Sequence, residues 1–503
     1  MSVRKTSLAL AIAAFAGLLA ACTMEPAYQR PAAPVPADFN GTQPQAGDGA
    51  GIAAADIGWR EFFTDPQLQQ LIALALANNR DLRVAALNVQ SAQAQYRIQR
   101  ADLFPTIAAT GSEDVQRYPG SVLAAQSGGA AAAAGASIPN GAIVRTYNVG
   151  IGFTNYELDF FGRIRSLNHA ALQQYFGTQE TQRSAQLTLV AEVAEAYLLV
   201  LADETLYKLT SDTLKSQSDS YDLTKKLFDG GATTQLALRQ AESTVDTAKA
   251  NLALYTRQLA QDRDALQLLL GAPIPDSIDF SGGLDRGPAV AELEEGIPSD
   301  VLVRRPDVLA AEHQLLSANA DIGAARAAFF PSISLTGNFG TESTQLSGLF
   351  KDHSQAWTFS PQISVPIFAG GANIANLDAA KLSRDTAVAQ YEKAIQSAFR
   401  EVADGLAARG ALNDQQASQQ ALVTASQDAF RLADMRFRGG VDSYLSVLDA
   451  QRTLYSAQQE LQNVRLTRLQ NLVTLYKALG GGLQEHTAAQ PAAPADAAPG
   501  SPS

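Results

Sequence analysis

Apolar residues recur every seven positions through a long part of the chain that contains no proline. The row consists of Val193, Val200, Tyr207, Leu214, Tyr221 and Phe228. No proline occurs between Pro139 and Pro273. A seven-residue apolar repeat is the period of helices that pack side by side. The pattern predicts one helix over about 162–228, roughly 100 Å long at about 1.5 Å per residue.

Other proline-free stretches have a similar pattern. Two adjacent apolar rows in the last of them, one through Val447, Leu454 and Leu461, predict neighbours on two sides, as in a closed ring of helices. Further helices are predicted at about 66–101, 233–270, 298–328, 371–437 and 441–479.

Strict alternation of apolar and polar residues marks four predicted strands. From Tyr147 to Phe153 every second residue is apolar, and the phase then slips before Tyr156, which predicts a β-bulge. The strands are predicted at about 103–117, 143–158, 331–343 and 356–368. Strands with one apolar and one polar face are typical of a membrane β-barrel with a wet lumen.

The same order of signals occurs twice, which indicates an internal duplication. Pro105 and Pro331 lie 226 residues apart in matching Phe-Pro motifs, whereas Gly231 and Gly440 lie 209 residues apart in matching glycine pairs. The offset between the repeats falls from 226 to 209 residues, so the first repeat contains about 17 extra residues between its Phe-Pro motif and its glycine pair. We assign them to an exposed loop over 120–141. The predicted repeats are 65–290 and 291–482.

Each repeat supplies one hairpin, so the chain supplies about four strands. Small barrels need about eight strands to close, and an open sheet edge cannot face lipid. Other copies must therefore complete the barrel. Two copies would give a tight barrel and three a twelve-stranded one, and this argument does not choose between them.

The N-terminus has the pattern of an export signal. Arg4 and Lys5 precede an apolar run that ends at Cys22, in a Leu-Ala-Ala-Cys sequence that resembles a bacterial lipobox. The resemblance implies cleavage after residue 21, lipidation of Cys22 with fatty acyl chains such as palmitate, and, from Thr23, sorting to the outer membrane. Residues 22–64 are predicted to form an extended tether, and 483–503 a disordered tail.

Composition and motifs exclude several kinds of function. The formal net charge is −12 and no basic run is present, which argues against a nucleic-acid partner. The four histidines are isolated, and no catalytic or phosphate-binding motif is found. We therefore expect no enzyme activity, no cofactor and no metal site.

Several motifs together resemble those of TolC-type outer-membrane factors, in the lipoprotein (NodT-like) branch that serves tripartite efflux systems. The motifs are Trp59-Arg60-Glu61-Phe62-Phe63, Asn78-Asn79-Arg80-Asp81-Leu82-Arg83, Arg304-Arg305-Pro306-Asp307 and Leu448-Asp449-Ala450-Gln451. The resemblance implies a mainly α-helical homotrimer with a twelve-stranded outer-membrane barrel, a long periplasmic α-barrel and a mixed equatorial belt. It also implies a periplasmic adaptor (membrane fusion) protein and, indirectly, an RND inner-membrane transporter.

The resemblance also implies two functional sites at the periplasmic end of the helices. The glycine turns, with Gly230, Gly231, Gly439, Gly440 and Val441, would be the tips that contact the adaptor. Asp449 would form a ring of carboxylates that gates the entrance. Asp442 and Arg438 belong to the same gate region, and either Arg436 or Arg438 is the expected partner of Asp442.

Two other functions share part of this pattern. A duct for type I protein secretion would have the same fold. A structural envelope lipoprotein would need the coiled-coil helices but not the hairpins with one polar and one apolar face.

Overall fold

The computed structural model describes residues 23–36, 39, 54–120, 141–286 and 299–487. Its helices are α1 (Trp59–Phe62), α2 (Pro66–Asn78), α3 (Arg80–Ala101), α4 (Arg163–Asp229), α5 (Gln235–Leu270), α6 (Pro306–Ala327), α7 (Ala372–Arg438) and α8 (Tyr444–Ala478). Its strands are β1 (Ile107–Tyr118), β2 (Ala142–Leu158), β3 (Ser332–Ser343) and β4 (Gln355–Ser364). Short 3₁₀ helices occur at Ala54–Asp56, Gly283–Arg286, Ser299–Arg304 and Leu346–Gly348.

The elements follow one order twice. Helix α3, strands β1 and β2 and helices α4 and α5 are followed by α6, β3, β4, α7 and α8. Helices α4 and α7 have 67 residues each, so the duplication is visible in element length as well as in order. The predicted mainly helical chain with two repeats and four strands is confirmed.

The four strands form one antiparallel sheet in the order β1-β2-β3-β4. Paired residues share a face of such a sheet. Their register places large apolar side chains together on one face, with Trp357 74% exposed and Phe339 64% exposed. The other face carries small or polar residues: Thr110, Ser112, Asn148, Gly150, Gly152, Asn338, Gly340, Thr358 and Ser360. In the described chain, therefore, the apolar face has no protein cover.

The phase slip in β2 is a bulge, as predicted. The pairing of β2 with β3 shifts between Phe153 and Tyr156, and Asn155 between them adopts a positive φ of 56°. Asparagine tolerates this left-handed conformation better than most residues. The Asn155 backbone N–H donates to the Thr336 hydroxyl at 3.2 Å, which satisfies a donor that the bulge removes from the ladder.

The chain divides into two compact units. The first contains the sheet and consists of residues up to Arg30, Ala92–Tyr175 and His313–Val388. The second is helical and consists of Pro31–Ser91, Phe176–Glu312 and Ala389–Ser503. Among the described helices, α4 alone is long and apolar enough to cross a membrane, but 61% of its most apolar window is buried, as in the core helix of a bundle.

The helix predicted over 66–101 is two helices, because Asn79 interrupts it. The Asn79 side chain accepts a hydrogen bond from Leu82 N at 2.8 Å and so caps the start of α3. Its amide nitrogen donates to the Leu269 carbonyl at 2.9 Å. An asparagine side chain that bonds to the backbone a few residues later competes with the helix ladder, so one helix ends and the next begins there.

The predicted tether and tail are both partly ordered, which corrects those boundaries. Trp59, Phe62 and Phe63, within the predicted tether, are almost fully buried, and Phe62 stacks on Tyr476 at 3.8 Å between ring centroids. At the other end, the Gln484 carbonyl accepts from Trp59 N at 2.9 Å. Cys22 and nearly all of the predicted 120–141 loop lie outside the described residues.

A buried arginine connects three segments of the second unit. The Arg305 guanidinium bonds to the Asp307 carboxylate at 2.7 Å, to Glu401 of α7 at 2.9 Å and to the Ala478 carbonyl at 2.8 Å. Arg305 is 7% exposed, so these acceptors satisfy a charge that water does not reach.

We predict that Arg305→Ala destabilises the second unit by about 3–5 kcal/mol, because it leaves the Ala478 carbonyl and two carboxylates without their donor. The neighbouring exposed Arg304 offers a matched control, and Arg304→Ala is expected to leave stability nearly unchanged. Thermal unfolding of detergent-purified protein measures both. Equal melting temperatures for the two variants would contradict the prediction.

Candidate functional site

Two glycine turns join the long helices of the second unit. Gly231 follows α4 with φ +73°, and Gly440 follows α7 with φ +70°. In each turn the residue after the glycine donates its N–H back to a helix carbonyl: Ala232 to Leu227 at 2.8 Å and Val441 to Arg436 at 2.9 Å. This is the Schellman arrangement, which needs a left-handed residue and therefore favours glycine.

The outer side of both turns is open. A Cβ added to Gly231 or Gly440 would meet no heavy atom within 4 Å. Val441 is 66% exposed and Leu236 of α5 is 68% exposed. A groove of about 880 Å³ lies between the turns, and Gly440, Asp442 and Leu236 are among the residues that line it. Of the predicted tip residues, Gly440 lines this solvent-open groove, and the others belong to the two turns beside it.

The charges at the second turn form two ion pairs. Arg436 pairs with Asp442 at 2.5 Å, and Arg438 pairs with Asp434 at 2.8 Å. Of the two arginines expected as partners of Asp442, the structure selects Arg436. The hydrogen bond from Arg436 lowers the pKa of the Asp442 carboxyl below its ordinary value. Asp442 therefore stays ionised and holds the turn to the end of α7.

Asp449 lies on an exposed face of α8, away from the chain's own packing. Val447 and Leu448 beside it are buried, whereas Asp449 is exposed and makes no ion pair with a described residue. Its carbonyl accepts from the Thr453 hydroxyl at 2.9 Å, as in an ordinary helix. Asp449 is not among the residues that line the groove between the turns. Of the three predicted gate residues, Asp442 and Arg438 line this groove, and Asp449 lies outside it.

Beyond Leu206, the buried residues of α4 are polar. They are Thr210, Gln217 and Thr224, spaced seven apart, which we call the polar row. The Thr210 hydroxyl lies 2.8 Å from the Tyr455 hydroxyl of α8. The Tyr444 hydroxyl, at the start of α8, bonds to the Ser220 and Thr224 side chains. In this part of the pair, the contact of α4 with α8 therefore combines hydrogen bonds with the packing of Tyr221 against the apolar cluster around Tyr444.

The long helix that the apolar heptads predict over about 162–228 is confirmed as Arg163–Asp229, but these heptads are not its most buried row throughout. Val193 and Val200 are fully buried, but Tyr207, Leu214 and Phe228 are only partly buried. In this part of α4, the residues that the chain itself buries are those of the neighbouring polar row, Thr210, Gln217 and Thr224. The polar row has the same seven-residue spacing in the sequence. A packed helix face is usually recognised from a period of apolar residues, however, and not from a period of polar ones.

Asp203 extends the polar row by one more heptad towards the apolar part of α4. Asp203 is 6% exposed. Burial, together with the nearby Asp262 carboxyl of α5, raises the pKa of Asp203 to about 7. A neighbouring like charge disfavours the ionised form of Asp203.

A four-stranded sheet with an uncovered apolar face, combined with very long paired helices in each of two repeats, defines a class of channel proteins of the bacterial outer membrane. The outer membrane efflux protein family model matches residues 71–272 and 297–481. The chain belongs to this family.

Relatives and solved structures agree with this assignment. The chain is 48% identical over 484 residues to the probable efflux pump outer membrane protein TtgC of Pseudomonas putida, covering 96% of this chain and 97% of that one. It is 42% identical over 488 residues to the outer membrane protein OprJ of Pseudomonas aeruginosa, covering 96% and 98%. The open state of the MtrE outer membrane channel of Neisseria gonorrhoeae superposes with a TM-score of 0.82 at 41% identity, covering 93% of this chain and all of that one.

These findings confirm the resemblance to outer-membrane factors, and the chain is an outer-membrane efflux protein. The two matched segments correspond to the two repeats. The family is one of efflux proteins and not of enzymes. Neither a protein-secretion duct nor a structural lipoprotein is among the relatives described above.

We predict that Gly231→Ala and Gly440→Ala each destabilise the helix turns by about 1–2 kcal/mol, because both positions need the left-handed conformation. Gly410, within α7, has equally open space around it but no positive φ. Gly410→Ala is the control and should stabilise by about 0.5–1 kcal/mol. Denaturant unfolding compares the three variants, and the prediction fails if all three shift stability in the same direction.

Proposed function

We propose that the chain is the outer-membrane duct of a tripartite efflux pump, which works as a homotrimer and passively conducts small molecules out of a Gram-negative cell. The observation that carries this proposal is the open four-stranded sheet. Its two edge strands, β1 and β4, each have one side without a partner strand among the described residues. No residue in the described part of the chain covers its apolar face.

The proposed number of copies, three, rests on the width of lumen that a duct needs. A barrel of about eight strands is filled by its own side chains, so two copies of four strands would leave no passage. Three copies give twelve strands, the smallest multiple of four above eight. Small residues such as Gly150, Gly152 and Gly340 on the polar face support a wide, wet lumen.

The exposed carboxylate of Asp449 is the proposed gate. Threefold symmetry would place three copies around the axis, where a ring of like charges favours cations and repels anions. The ion pair of Asp442 with Arg436 and that of Arg438 with Asp434 would hold the neighbouring turn in shape. The hydrogen-bonded contact along the polar row supports movement here, because polar contacts can be exchanged for water when helices separate.

The groove between the glycine turns is the proposed docking surface for a periplasmic adaptor protein. Open space at Gly231 and Gly440 lets another backbone come close, and the exposed Val441 and Leu236 offer apolar contact. The adaptor would connect the duct to an RND transporter of the inner membrane. TtgC and OprJ are named as outer membrane proteins, and TtgC as a component of an efflux pump, which supports this arrangement.

Cys22 is the proposed site of lipidation. The support is the Leu19-Ala20-Ala21-Cys22 sequence, which resembles a lipobox. A thioether-linked diacylglycerol and an N-acyl chain would attach the duct to the outer membrane independently of its barrel.

The gate is tested by ion selectivity in planar bilayers. We expect the wild-type channel to prefer cations and Asp449→Asn to lose most of that preference, because the variant removes three negative charges from the entrance. The control is Asp246→Asn, which changes an exposed carboxylate on α5 that pairs with Lys249. This variant should keep wild-type selectivity. A wild-type protein that forms no pore would refute the duct, whereas unchanged selectivity in Asp449→Asn would refute only the gate.

Docking is tested in cells that lack the native gene. Wild-type plasmid should restore drug resistance and low drug accumulation. Gly440→Trp should restore neither, because the bulky side chain fills the groove. Equal amounts of both proteins in outer-membrane fractions provide the control for folding and export. Full rescue by Gly440→Trp would contradict the proposed docking surface.

A further inference from the structure

The described N-terminal segment, residues 23–30, lies in the first unit against helices α4 and α6, and we call it the strap. Asn319, Gly323 and Arg326 of α6 are spaced four and three apart, which places them on one face of the helix. All three contact the strap. This segment is therefore held along a helix face by specific contacts.

Two of these contacts are to the strap backbone. The Asn319 side-chain amide donates to the Pro26 carbonyl at 2.8 Å, and Arg326 donates to the Met24 carbonyl at 3.2 Å. Asn319 is only 4% exposed, so the strap carbonyl provides an acceptor for a buried donor.

The strap backbone comes close to α6 at Gly323. A Cβ on Gly323 would lie 2.9 Å from Glu25 Cα, which is closer than real Cβ contacts allow. Glycine at this position lets the strap reach the helix surface. We call the face of α6 formed by Asn319, Gly323 and Arg326 the seat of the strap.

The third contact involves charge. His169 Nδ1 of α4 lies 3.1 Å from both oxygens of the Glu25 carboxylate. The other ring nitrogen, Nε2, lies 3.0 Å from one end of the Gln173 side-chain amide, which presents its oxygen to a protonated Nε2 and its nitrogen to a neutral one. The other end of the same amide lies 2.7 Å from His313 Nδ1. Both ring nitrogens of His169 are therefore engaged, which fixes the ring facing the strap.

The hydrogen bond with Glu25 raises the pKa of His169 above its ordinary value, although partial burial opposes this. A raised histidine pKa means that the contact is strongest below the ordinary value of 6.5 and is lost as pH rises through the raised value. Glu25 is the charged group that acts on His169. The other titratable groups on the surrounding stretches of α4 and α6 are Arg165, which pairs with Asp159, and Glu312, His313, Asp321 and Arg326.

We propose that the His169–Glu25 pair is a latch that holds the strap on the first unit while the imidazole is protonated and loosens it when the proton is lost. Glu25 is three residues from Cys22, so a closed latch would keep the lipidated residue within about 10 Å of the seat. The latch would thereby position the lipid beside the unit that contains the membrane-facing sheet. This role rests on the proposed lipidation of Cys22.

The latch is tested with a nitroxide label on Ala27→Cys, an exposed strap position. Cys22 is the only native cysteine, and when acylated it does not react with the label. Electron paramagnetic resonance of the full-length protein then reports strap mobility between about pH 5.5 and 9.5. We expect the ratio of mobile to immobile label to rise about two- to fivefold across a midpoint above 6.5, the change expected from loss of a partly exposed ion pair.

Variants separate the latch from other effects of pH. His169→Gln and Glu25→Gln should both give a more mobile strap at pH 6 and remove the pH dependence, and the double variant should add nothing further. His353→Gln, which changes an exposed histidine elsewhere in the first unit, should leave the titration as it is.

Two results would overturn the latch: mobility that does not change with pH in the parent protein, or a titration that survives in His169→Gln. Mass spectrometry of the N-terminal fragment reports acylation separately. An unmodified Cys22 together with an intact titration would refute the lipid anchor and leave the latch in place.

Discussion

The unpaired edges of the four-stranded sheet are the constraint on which the rest of the architecture depends. Backbone N–H and C=O groups on the free sides of β1 and β4 need partners, and hydrocarbon offers none. A sheet that turns a face with Trp357 and Phe339 outward cannot meet this need within one chain. Closure by further copies satisfies the edges and encloses the polar face. The long helices that follow each hairpin must then also pack as a ring.

The helical end of the molecule depends on a different balance of forces. The part of α4 up to Leu206 is packed by fully buried apolar residues, as in any bundle core. Beyond it, the buried residues of α4 are Thr210, Gln217 and Thr224, and hydrogen bonds to α8 accompany an apolar cluster around Tyr444. Because water can substitute for a hydrogen-bond partner but not for an apolar one, this end of the pair can separate at lower cost.

Several local features could be predicted from particular residues. Gly231 and Gly440 indicated the helix ends, because few other residues accept the left-handed conformation of the turn. The slip of alternation before Tyr156 indicated the bulge, since alternation maps directly onto the two faces of a strand. The single helix predicted over 66–101 is wrong at Asn79, because an asparagine side chain can lie on a helix surface or cap a helix. The contact with the distant Leu269 carbonyl favours the cap.

By itself, the sequence determined the repeat, the element types, the turns and the family, since each depends on periodicity or on residues close together in the chain. The tertiary structure alone decided which heptad of α4 is buried and which arginine binds Asp442. It also decided that Glu25 meets His169, 144 residues away. Such pairings depend on how distant segments are placed in space, and no local pattern of residues encodes that placement.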